Sequence, residues 1–222
     1  MRELPSGHDA VLLDFSDDPT PSAAVIVAAQ ALWRALDAGG LPDVTDVVPA
    51  AQTILVQSER GRGVDALGIR RALRTTRDTG HKANAAAAGD EIRIPVTYDG
   101  PDLTDVAELL GVAPAIVAEL HRKTLWRVQF IGFAPGFGYL VPQDDRPHPL
   151  ARIVRRDESR TRVPAGAVAI AAGYSAVYPR VSPGGWHLIG HTSATMWDEN
   201  NTPPALLAPG RLVRFVIEDG CT

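Results

Sequence analysis

Apolar residues in the first part of the chain alternate between strand-type and helix-type spacing. The run over 9–15 predicts a buried strand, and the β-branched runs over 44–48 and 53–57 predict two strands joined by a hairpin-like connection. Between them, an apolar stripe with spacings of three and four predicts a helix that packs on a sheet. The stripe consists of Val25, Ala28, Leu32 and Ala35.

The pattern continues with a second helix and a further strand. The spacing over 64–76 predicts a helix, and the alternation over 91–98 predicts a strand. The resulting order, β-α-β-β-α-β, predicts a ferredoxin-like α/β domain over 1–98. Residues 81–90 are interpreted as a loop. Arginines along one face of the second helix either form a solvated surface or contact a partner or an anion: Arg70, Arg74 and Arg77.

Two short helices and a β-rich region follow. Helical spacing over 103–110 and 114–121 predicts a connector at 99–123, and His121, at its end, is interpreted as a partner of helix-end carbonyl groups. From residue 124 onward, short β-rich runs are punctuated by Gly and Pro, which predicts a barrel or a sandwich over 124–222. The expected class is therefore α+β.

Composition narrows the classes of function. With 222 residues, 45% hydrophobic and 22% charged, the chain should fold as a globular protein of one or two domains. A net charge of -4 disfavours nucleic acid and anionic membranes as partners. The one cysteine, Cys221, allows neither an intramolecular disulfide nor a cysteine-based zinc cage. Without an export signal or a membrane-spanning run, the predicted location is the cytoplasm.

Three segments carry the candidate chemistry, and the first is GFAPGFGYL at 132–140. Its glycines and proline are suited to a loop that lets backbone N–H groups approach a ligand, beside an apolar aromatic wall. The alternative is a barrel corner, because Gly and Pro are also how small barrels bend their strands. The candidate substrate-binding residues here are Pro135, Gly136, Phe137 and Tyr139.

The second segment, RTRVPAG at 160–166, holds two arginines that are candidate catalytic residues, Arg160 and Arg162. A guanidinium fork pairs well with a carboxylate or a phosphoryl oxygen. The alternative is a solvated loop of mixed charge, since further charged residues lie close by. These are Arg152, Arg155, Arg156, Asp157 and Glu158.

The third segment, SPGGWHLIGHT, begins at Ser182. Its candidate substrate-binding residues are Ser182, Gly184, Gly185 and Trp186. His187 is a candidate catalytic base or hydrogen-bond donor, with a structural role as the alternative. On a strand, His187 and His191 would lie roughly 13 Å apart, so no shared metal is expected. The near-match of 185–192 to a phosphate loop is rejected, because the run reads as a strand and no helix follows.

Taken together and in this order, the three segments resemble the family of 5-oxoprolinase B subunits, which are also known as allophanate hydrolase subunit 1 and as KipI-like proteins. VVPAAQTILV and IPVTYDGPDL, nearer the N-terminus, are similar to that family as well. The resemblance implies that the C-terminal domain is a cyclophilin-like β-barrel. This chain departs from the family at Tyr174-Ser175-Ala176, where relatives tend to have Gln-Thr-Gly, and at Ala167, where Ser is usual. These departures predict an altered specificity if the positions contact substrate.

The resemblance also implies a function. Relatives pair with a larger protein of the 5-oxoprolinase C-subunit type, which is like allophanate hydrolase subunit 2. With a third protein, of the A-subunit type, they open 5-oxoproline to L-glutamate at the expense of ATP. The expected enzyme is thus an ATP-hydrolysing amidohydrolase, and this component is expected to be inactive alone. Two alternatives stay open: a KipI-like inhibitor of a sensor histidine kinase, and a carboxyltransferase-type component acting on urea or a related small amide.

Overall fold

A computed structural model of the chain describes residues 1–78, 91–144 and 147–217. It contains two compact units, Met1–Ala87 and Ala88–Thr222. The predicted loop over 81–90, the side chain of Arg77 and Cys221 lie outside the described residues. Within the described ranges, no helix combines the length and the hydropathy needed to cross a bilayer.

The first unit is an antiparallel sheet with two helices. Its sheet has the order β1-β2-β4-β3. The elements in chain order are β1 (Arg2–Pro5), β2 (Ala10–Asp14), α1 (Pro21–Asp37), β3 (Val44–Pro49), β4 (Thr53–Ser58) and α2 (Ala66–Asp78).

The helix α1 packs as its apolar stripe predicts. Pro21 stands in its first turn, where the missing N–H of proline costs no helical hydrogen bond. Val25 and Leu32 of the stripe are fully buried and share one core with Ile54 of β4. Burying side chains of this kind contributes about 1.5–3 kcal/mol each relative to leaving them exposed.

The strand predicted over 91–98 belongs to the other sheet, so its assignment to the first domain was wrong. In the first unit, β1 lies beside β2 and occupies the edge that the last strand of a ferredoxin-like sheet would take. Sequence reasoning missed β1, because its four residues show little of the apolar alternation that identifies strands. Two ion pairs connect the edge strand β1 to the rest of the unit: Glu3 with Arg70 at 2.6 Å, and Arg2 with Asp14 at 2.5 Å.

The second unit contains a seven-stranded sheet of order β12-β9-β10-β7-β6-β13-β5 and a separate pair, β8 and β11. A 3-10 turn spans Pro149–Arg152. The other elements are β5 (Ile92–Val96), α3 (Leu103–Leu110), α4 (Pro114–Lys123), β6 (Trp126–Ile131), β7 (Gly138–Pro142), β8 (Arg160–Val163), β9 (Ala167–Ala171), β10 (Tyr174–Val177), β11 (Ser182–Gly184), β12 (His187–His191) and β13 (Leu212–Ile217).

The seven-stranded sheet curls until its two edges meet. β5 pairs parallel with β13, and Thr97, just after β5, exchanges two backbone hydrogen bonds of 2.9 Å with His191 at the end of β12. Gly190 makes this approach possible, because a Cβ there would stand 2.4 Å from the Thr97 carbonyl oxygen. The predicted α+β class and the predicted barrel are confirmed.

The barrel wall has two differently packed faces, since successive strand residues point to opposite sides. All seven strands contribute to the inner core, which includes Trp126, Leu140, Ile170 and Phe215. Alternate residues of β9 and β10 instead join a second apolar cluster on the outer face. The outer face is where the candidate site lies.

Inside the barrel, His121 connects two hydroxyl groups. Its Nδ1 lies 2.8 Å from the Tyr98 hydroxyl and its Nε2 lies 2.7 Å from Ser175 Oγ. The sequence predicted that His121 would bond to helix-end carbonyl groups, and this prediction was wrong. The ring instead links the region after β5 to β10. His121 is fully buried, and this burial, together with the nearby His148, lowers its pKa to about 3.

The buried histidine makes the stability of the fold depend on pH. Above its unfolded pKa near 6.5, the ring is neutral in both states and its contribution to stability is complete. As the pH falls toward about 3, the unfolded state binds a proton that the folded state excludes. The free energy of unfolding should then fall by up to about 1.4 kcal/mol per pH unit from this group.

Urea unfolding measured between about pH 4 and about pH 7 tests this linkage. We expect His121→Gln to have a shallower pH dependence than the wild type, whatever its absolute stability. His191→Gln alters an exposed ring and should keep the wild-type slope. Equal slopes for the wild type and His121→Gln would contradict the assignment.

Candidate functional site

Seven aromatic rings meet on the outer face of the barrel, and we call them the aromatic cluster. Phe137 lies at its centre, with centroid distances of 5.0 Å to Tyr139, 5.2 Å to Tyr178 and 5.7 Å to Trp186. The first and third candidate segments are thereby in direct contact. The full cluster is Phe130, Phe133, Phe137, Tyr139, Tyr174, Tyr178 and Trp186.

The second candidate segment borders the same face. β8 pairs with β11, with Val163 opposite Ser182 and Arg160 opposite Gly184. Val163 is fully buried in the apolar cluster that contains Phe137 and Trp186. The structure therefore brings together the three segments identified in the sequence, while the chemical roles assigned to them remain predictions.

The glycines of the first segment allow another loop to approach. Gly136 has φ +80°, and a Cβ there would stand 2.7 Å from the Met196 carbonyl oxygen. Around it, the Gly132 N–H donates to the Phe137 carbonyl and the Phe137 N–H donates to the Ala134 carbonyl, at 3.1 and 2.9 Å. These N–H groups are thus used within the turn, which favours the barrel-corner interpretation of the loop backbone. Pro135 stands exposed at its tip.

The third segment also depends on glycine at a close approach. A Cβ at Gly184 would stand 2.3 Å from the Tyr178 hydroxyl, and one at Gly185 would stand 2.8 Å from Ser159 Oγ. Gly184 therefore leaves the space that the phenol of Tyr178 occupies. Ser182 lies at the other end of β11, and its buried Oγ has no hydrogen-bond partner among the described residues.

Phe133 is a site residue that sequence reasoning did not single out. Its backbone has φ +68°, a left-handed conformation that is uncommon for a bulky residue and is often found at functional sites. Its side chain is 57% exposed, while its ring packs edge-on against Phe137 at 5.1 Å. The sequence feature that could have identified Phe133 is its position between Gly132 and Ala134 in the first segment. Phe133 presents the aromatic cluster to solvent.

A buried carboxylate, Asp102, holds Arg160. Asp102 is 2% exposed and accepts two hydrogen bonds from the fork of Arg160, at 2.7 and 2.9 Å. It also accepts one from Arg156 Nη1 at 2.6 Å and one from the Leu188 N–H at 2.7 Å. Sequence reasoning missed Asp102, although it stands in the IPVTYDGPDL segment.

Two opposing effects set the pKa of Asp102. Burial raises it, but the hydrogen bonds from Arg160 and Leu188 and the charges of Arg160 and Arg156 outweigh burial. The pKa therefore lies below its usual value, and the carboxylate stays ionised near neutral pH. Because both Nη atoms of Arg160 donate to Asp102, the guanidinium group is not free to bind an anion as predicted. Arg160 is therefore a positioning residue in this structure.

Arg162 has the environment expected of a free cation. It is exposed, and none of the described residues forms an ion pair with it. Its predicted role in binding an anion remains a prediction.

His187 lies apart from the aromatic cluster. Trp186 and Leu188 pack on the outer face and Ile189 packs in the inner core, so alternation places His187 opposite Trp186. The residue is 7% exposed, and its Nδ1 has no hydrogen-bond partner in the described part of the chain. The run also forms strand β12, and no helix follows it in the described residues up to 217, which agrees with rejecting a phosphate loop. His191 contacts Asp99 at 2.7 Å.

The positions that depart from the family lie on both faces of the wall. Tyr174 joins the aromatic cluster at 5.5 Å from Tyr139, and Ala167 and Ala176 are buried beside it. Ser175 points inward to His121. Tyr174 is thus the departure that adds a ring to the aromatic cluster.

Two clefts of the barrel unit are lined by residues outside the aromatic cluster. One, of about 430 Å³, is bounded by the loop that includes Thr195, Asp198 and Leu206. The other, of about 530 Å³, lies beside α4 and is bounded by residues that include Ile116 and Leu120. On the outer face, by contrast, the rings of Phe137, Tyr178 and Trp186 are almost fully buried and fill the space between the segments.

Comparison with known proteins places these features in a family. The carboxyltransferase domain family, subdomain C and D, matches residues 1–207. A 5-oxoprolinase B subunit from Escherichia coli O157:H7 is 36% identical over 95% of this chain and 93% of its own length. A crystal structure of TTHA0988 has a TM-score of 0.77 and 34% identity over 96% of this chain. This chain spans 40% of that protein.

A more distant solved structure shares the fold. The urea carboxylase of Kluyveromyces lactis has a TM-score of 0.68 over 97% of this chain and 21% of its own length. Its sequence identity is 16%. At this level the likeness concerns the fold alone.

Removing the charge of Asp102 should destabilise the protein. In Asp102→Asn, two arginines lose their buried counter-ion, and we expect a loss of at least about 2 kcal/mol in the free energy of unfolding. Asp99→Asn is the matched control, because Asp99 is 57% exposed and pairs with His191 at the surface. Urea unfolding should show a change within about 0.5 kcal/mol for the control. Similar losses in both variants would contradict the role given to Asp102.

Two glycines of the first segment, Gly132 and Gly136, should differ in their tolerance of alanine. Gly136→Ala adds a Cβ 2.7 Å from a carbonyl oxygen at positive φ, so we expect a lower melting temperature and a free-energy loss of about 2 kcal/mol or more. At Gly132 the nearest atom to an added Cβ is 3.7 Å away, so Gly132→Ala should remain close to the wild type. The reverse order of melting temperatures would show that the close contact is not limiting.

Proposed function

The chain belongs to the carboxyltransferase domain family, subdomain C and D, and from this membership we propose that it is the B subunit of a 5-oxoprolinase. The observation that carries the proposal is the near-complete overlap with a relative of that name, together with the meeting of the three characteristic segments on one face. The enzyme opens the lactam of 5-oxoproline to L-glutamate. Without its partners, this component is inactive.

The proposed reaction uses ATP because a lactam is a poor acyl donor. Transfer of the γ-phosphoryl group to the lactam oxygen activates the ring carbon for attack by water, and cleavage of the C–N bond leaves an acyl phosphate. A second water hydrolyses the acyl phosphate, giving L-glutamate and inorganic phosphate besides ADP. Cationic hydrogen-bond donors stabilise the negative charge that develops during these steps.

A larger partner polypeptide, of the C-subunit type, completes the site in this proposal. The outer face is filled by its own aromatic rings and opens to solvent at Phe133 and Arg162. In TTHA0988, a module similar to this chain is part of one longer polypeptide. In this proposal a protein of the C-subunit type completes the site, and a protein of the A-subunit type is the third component.

The residue roles follow from the contacts. Asp102 and Arg160 hold the second and third segments in place, and Phe133 and Arg162 face the reactants or the partner. His187 acts from the inner side of β12 or supports the strand. ATP is assigned to the assembled complex rather than to a nucleotide loop in this chain.

Reconstitution tests the proposal. The chain is co-purified with the larger barrel protein and the A-type component of the same organism, and glutamate release from 5-oxoproline is measured with and without ATP. We expect activity only in the complete, ATP-containing mixture. A matched mixture with Asp102→Asn should lose activity, whereas Asp99→Asn should retain it.

Other outcomes would support the alternatives. ATP- and biotin-dependent consumption of urea, without turnover of 5-oxoproline, would favour a carboxyltransferase-type component. Tight binding to the dimerisation domain of a sensor histidine kinase, with no turnover in any mixture, would favour a KipI-like inhibitor. Either result would overturn the proposed function.

A further inference from the structure

One imidazole ring connects the end of α4 to the 3-10 turn at 149–152. His148 directly precedes the turn, and Thr124 directly follows α4. Nε2 of His148 lies 2.8 Å from Thr124 Oγ1, and Nδ1 accepts a hydrogen bond from the Leu150 N–H at 3.2 Å. The ring packs with its centroid 5.7 Å from that of Trp126. It is partly exposed and borders the cleft beside α4.

The hydrogen bonds determine which nitrogen of His148 carries the proton. The Thr124 hydroxyl donates its hydrogen to the Leu120 carbonyl at 2.6 Å, so toward the ring its oxygen can only accept. Nε2 must therefore carry a hydrogen. Nδ1 must be without one, because it accepts from the Leu150 N–H. All three contacts fit the neutral ring with its proton on Nε2, and no other protonation state satisfies them together.

A second proton on this ring is incompatible with the hydrogen bond to the turn. The proton would bind at Nδ1 and place one N–H group against another, so the Leu150 N–H would lose this acceptor. Leu150 is 2% exposed and packs in the inner core of the barrel, where an N–H without an acceptor is costly. The turn and a charged His148 ring therefore exclude each other.

The titratable groups around His148 act in both directions. Burial lowers the pKa of His148, and the charge of Asp144, which follows β7, raises it by a smaller amount. On α4, the buried His121 is close enough that His148 lowers its pKa. Glu119 and Lys123 border the same cleft and form an ion pair with each other. The net result agrees with the hydrogen bonds, since both favour the neutral ring.

The turn continues into a segment that contacts the candidate site. The Ile153 carbonyl accepts from the Ala172 N–H at 2.6 Å, and the Arg156 N–H donates to the Gly185 carbonyl at 2.9 Å. The Arg156 side chain then binds Asp102. Because the segment follows the turn directly, a turn that opens also frees one end of this segment.

We propose that His148 is a pH-sensitive switch: its neutral ring binds the segment 149–156 to the end of α4, and protonation releases the turn and weakens the contacts of Arg156. The stabilisation is complete above the ordinary histidine pKa of 6.5 and is lost as the pH falls below it, because burial lowers the pKa in the folded protein. The switch goes beyond the proposed function and does not depend on it.

NMR and amide hydrogen exchange on the full chain test the switch. At neutral pH, the imidazole nitrogen signals of His148 should show a proton on Nε2 and none on Nδ1. His148→Asn keeps a side-chain acceptor before the turn but does not titrate. Between about pH 7 and about pH 5, the Leu150 and Arg156 amides of the wild type should lose at least about threefold more protection than those of His148→Asn.

Two controls separate the switch from a general effect of acid. The Phe15 amide donates to the Gln52 carbonyl in the first unit, and its protection should change equally in the wild type and in His148→Asn. His191→Gln removes an exposed histidine and should keep the pH dependence of the wild type at Leu150.

Three results would each overturn the switch. The first is a proton on Nδ1 of His148 at neutral pH, and the second is an equal pH dependence of Leu150 protection in the wild type and in His148→Asn. The third is a loss of protection at Leu150 with none at Arg156, which would show that the turn opens without affecting the segment after it. These measurements involve neither 5-oxoproline nor a partner protein, so their outcome is independent of the proposed function.

Discussion

The arrangement of the outer face depends on one buried carboxylate. A buried charge is costly unless it is paired and fully hydrogen-bonded, and Asp102 meets this condition with two guanidinium groups and one backbone N–H. Its contacts join the start of α3 to β8 and to β12, three parts of the barrel unit that are distant in sequence. Asp102 therefore holds the third segment in place, because it accepts a hydrogen bond from the Leu188 N–H while it binds the two arginines.

Sequence reasoning found the elements whose signal is local. The stripe of α1 and the β-rich character of 124–222 follow from spacing, and the order of the three segments follows from resemblance. The strands β7, β8 and β11 overlap these segments and were not predicted as strands. The sheet to which 91–98 belongs could not be inferred in this way, because Ile94 and Val96 suit a buried face of either sheet. Its partner β13 is the last strand among the described residues, so the two strands are far apart in sequence. Pairing between such distant strands leaves no local sequence pattern.

The sequence indicated which kinds of residue lie at the candidate site, but it did not show which contacts each of them makes. The RTRVPAG segment predicted guanidinium groups available to an anion, and in the structure Arg162 is exposed and has no ion pair among the described residues. The segment did not reveal that Arg160 is paired with Asp102, because ion pairs between residues separated by 58 positions depend on the folded topology. Phe133 was overlooked for a related reason: its exposure and its left-handed backbone are properties of the turn.

Strand β10 has a consequence for how this protein can diversify. Tyr174 and Ala176 face the aromatic cluster, whereas Ser175 between them bonds to His121 in the core. Substitutions at Tyr174 and Ala176 therefore change the packing of the outer cluster, whereas a substitution at Ser175 changes the hydrogen bond to His121. Three adjacent positions of one strand are accordingly constrained by two separate cores, one on each side of the barrel wall.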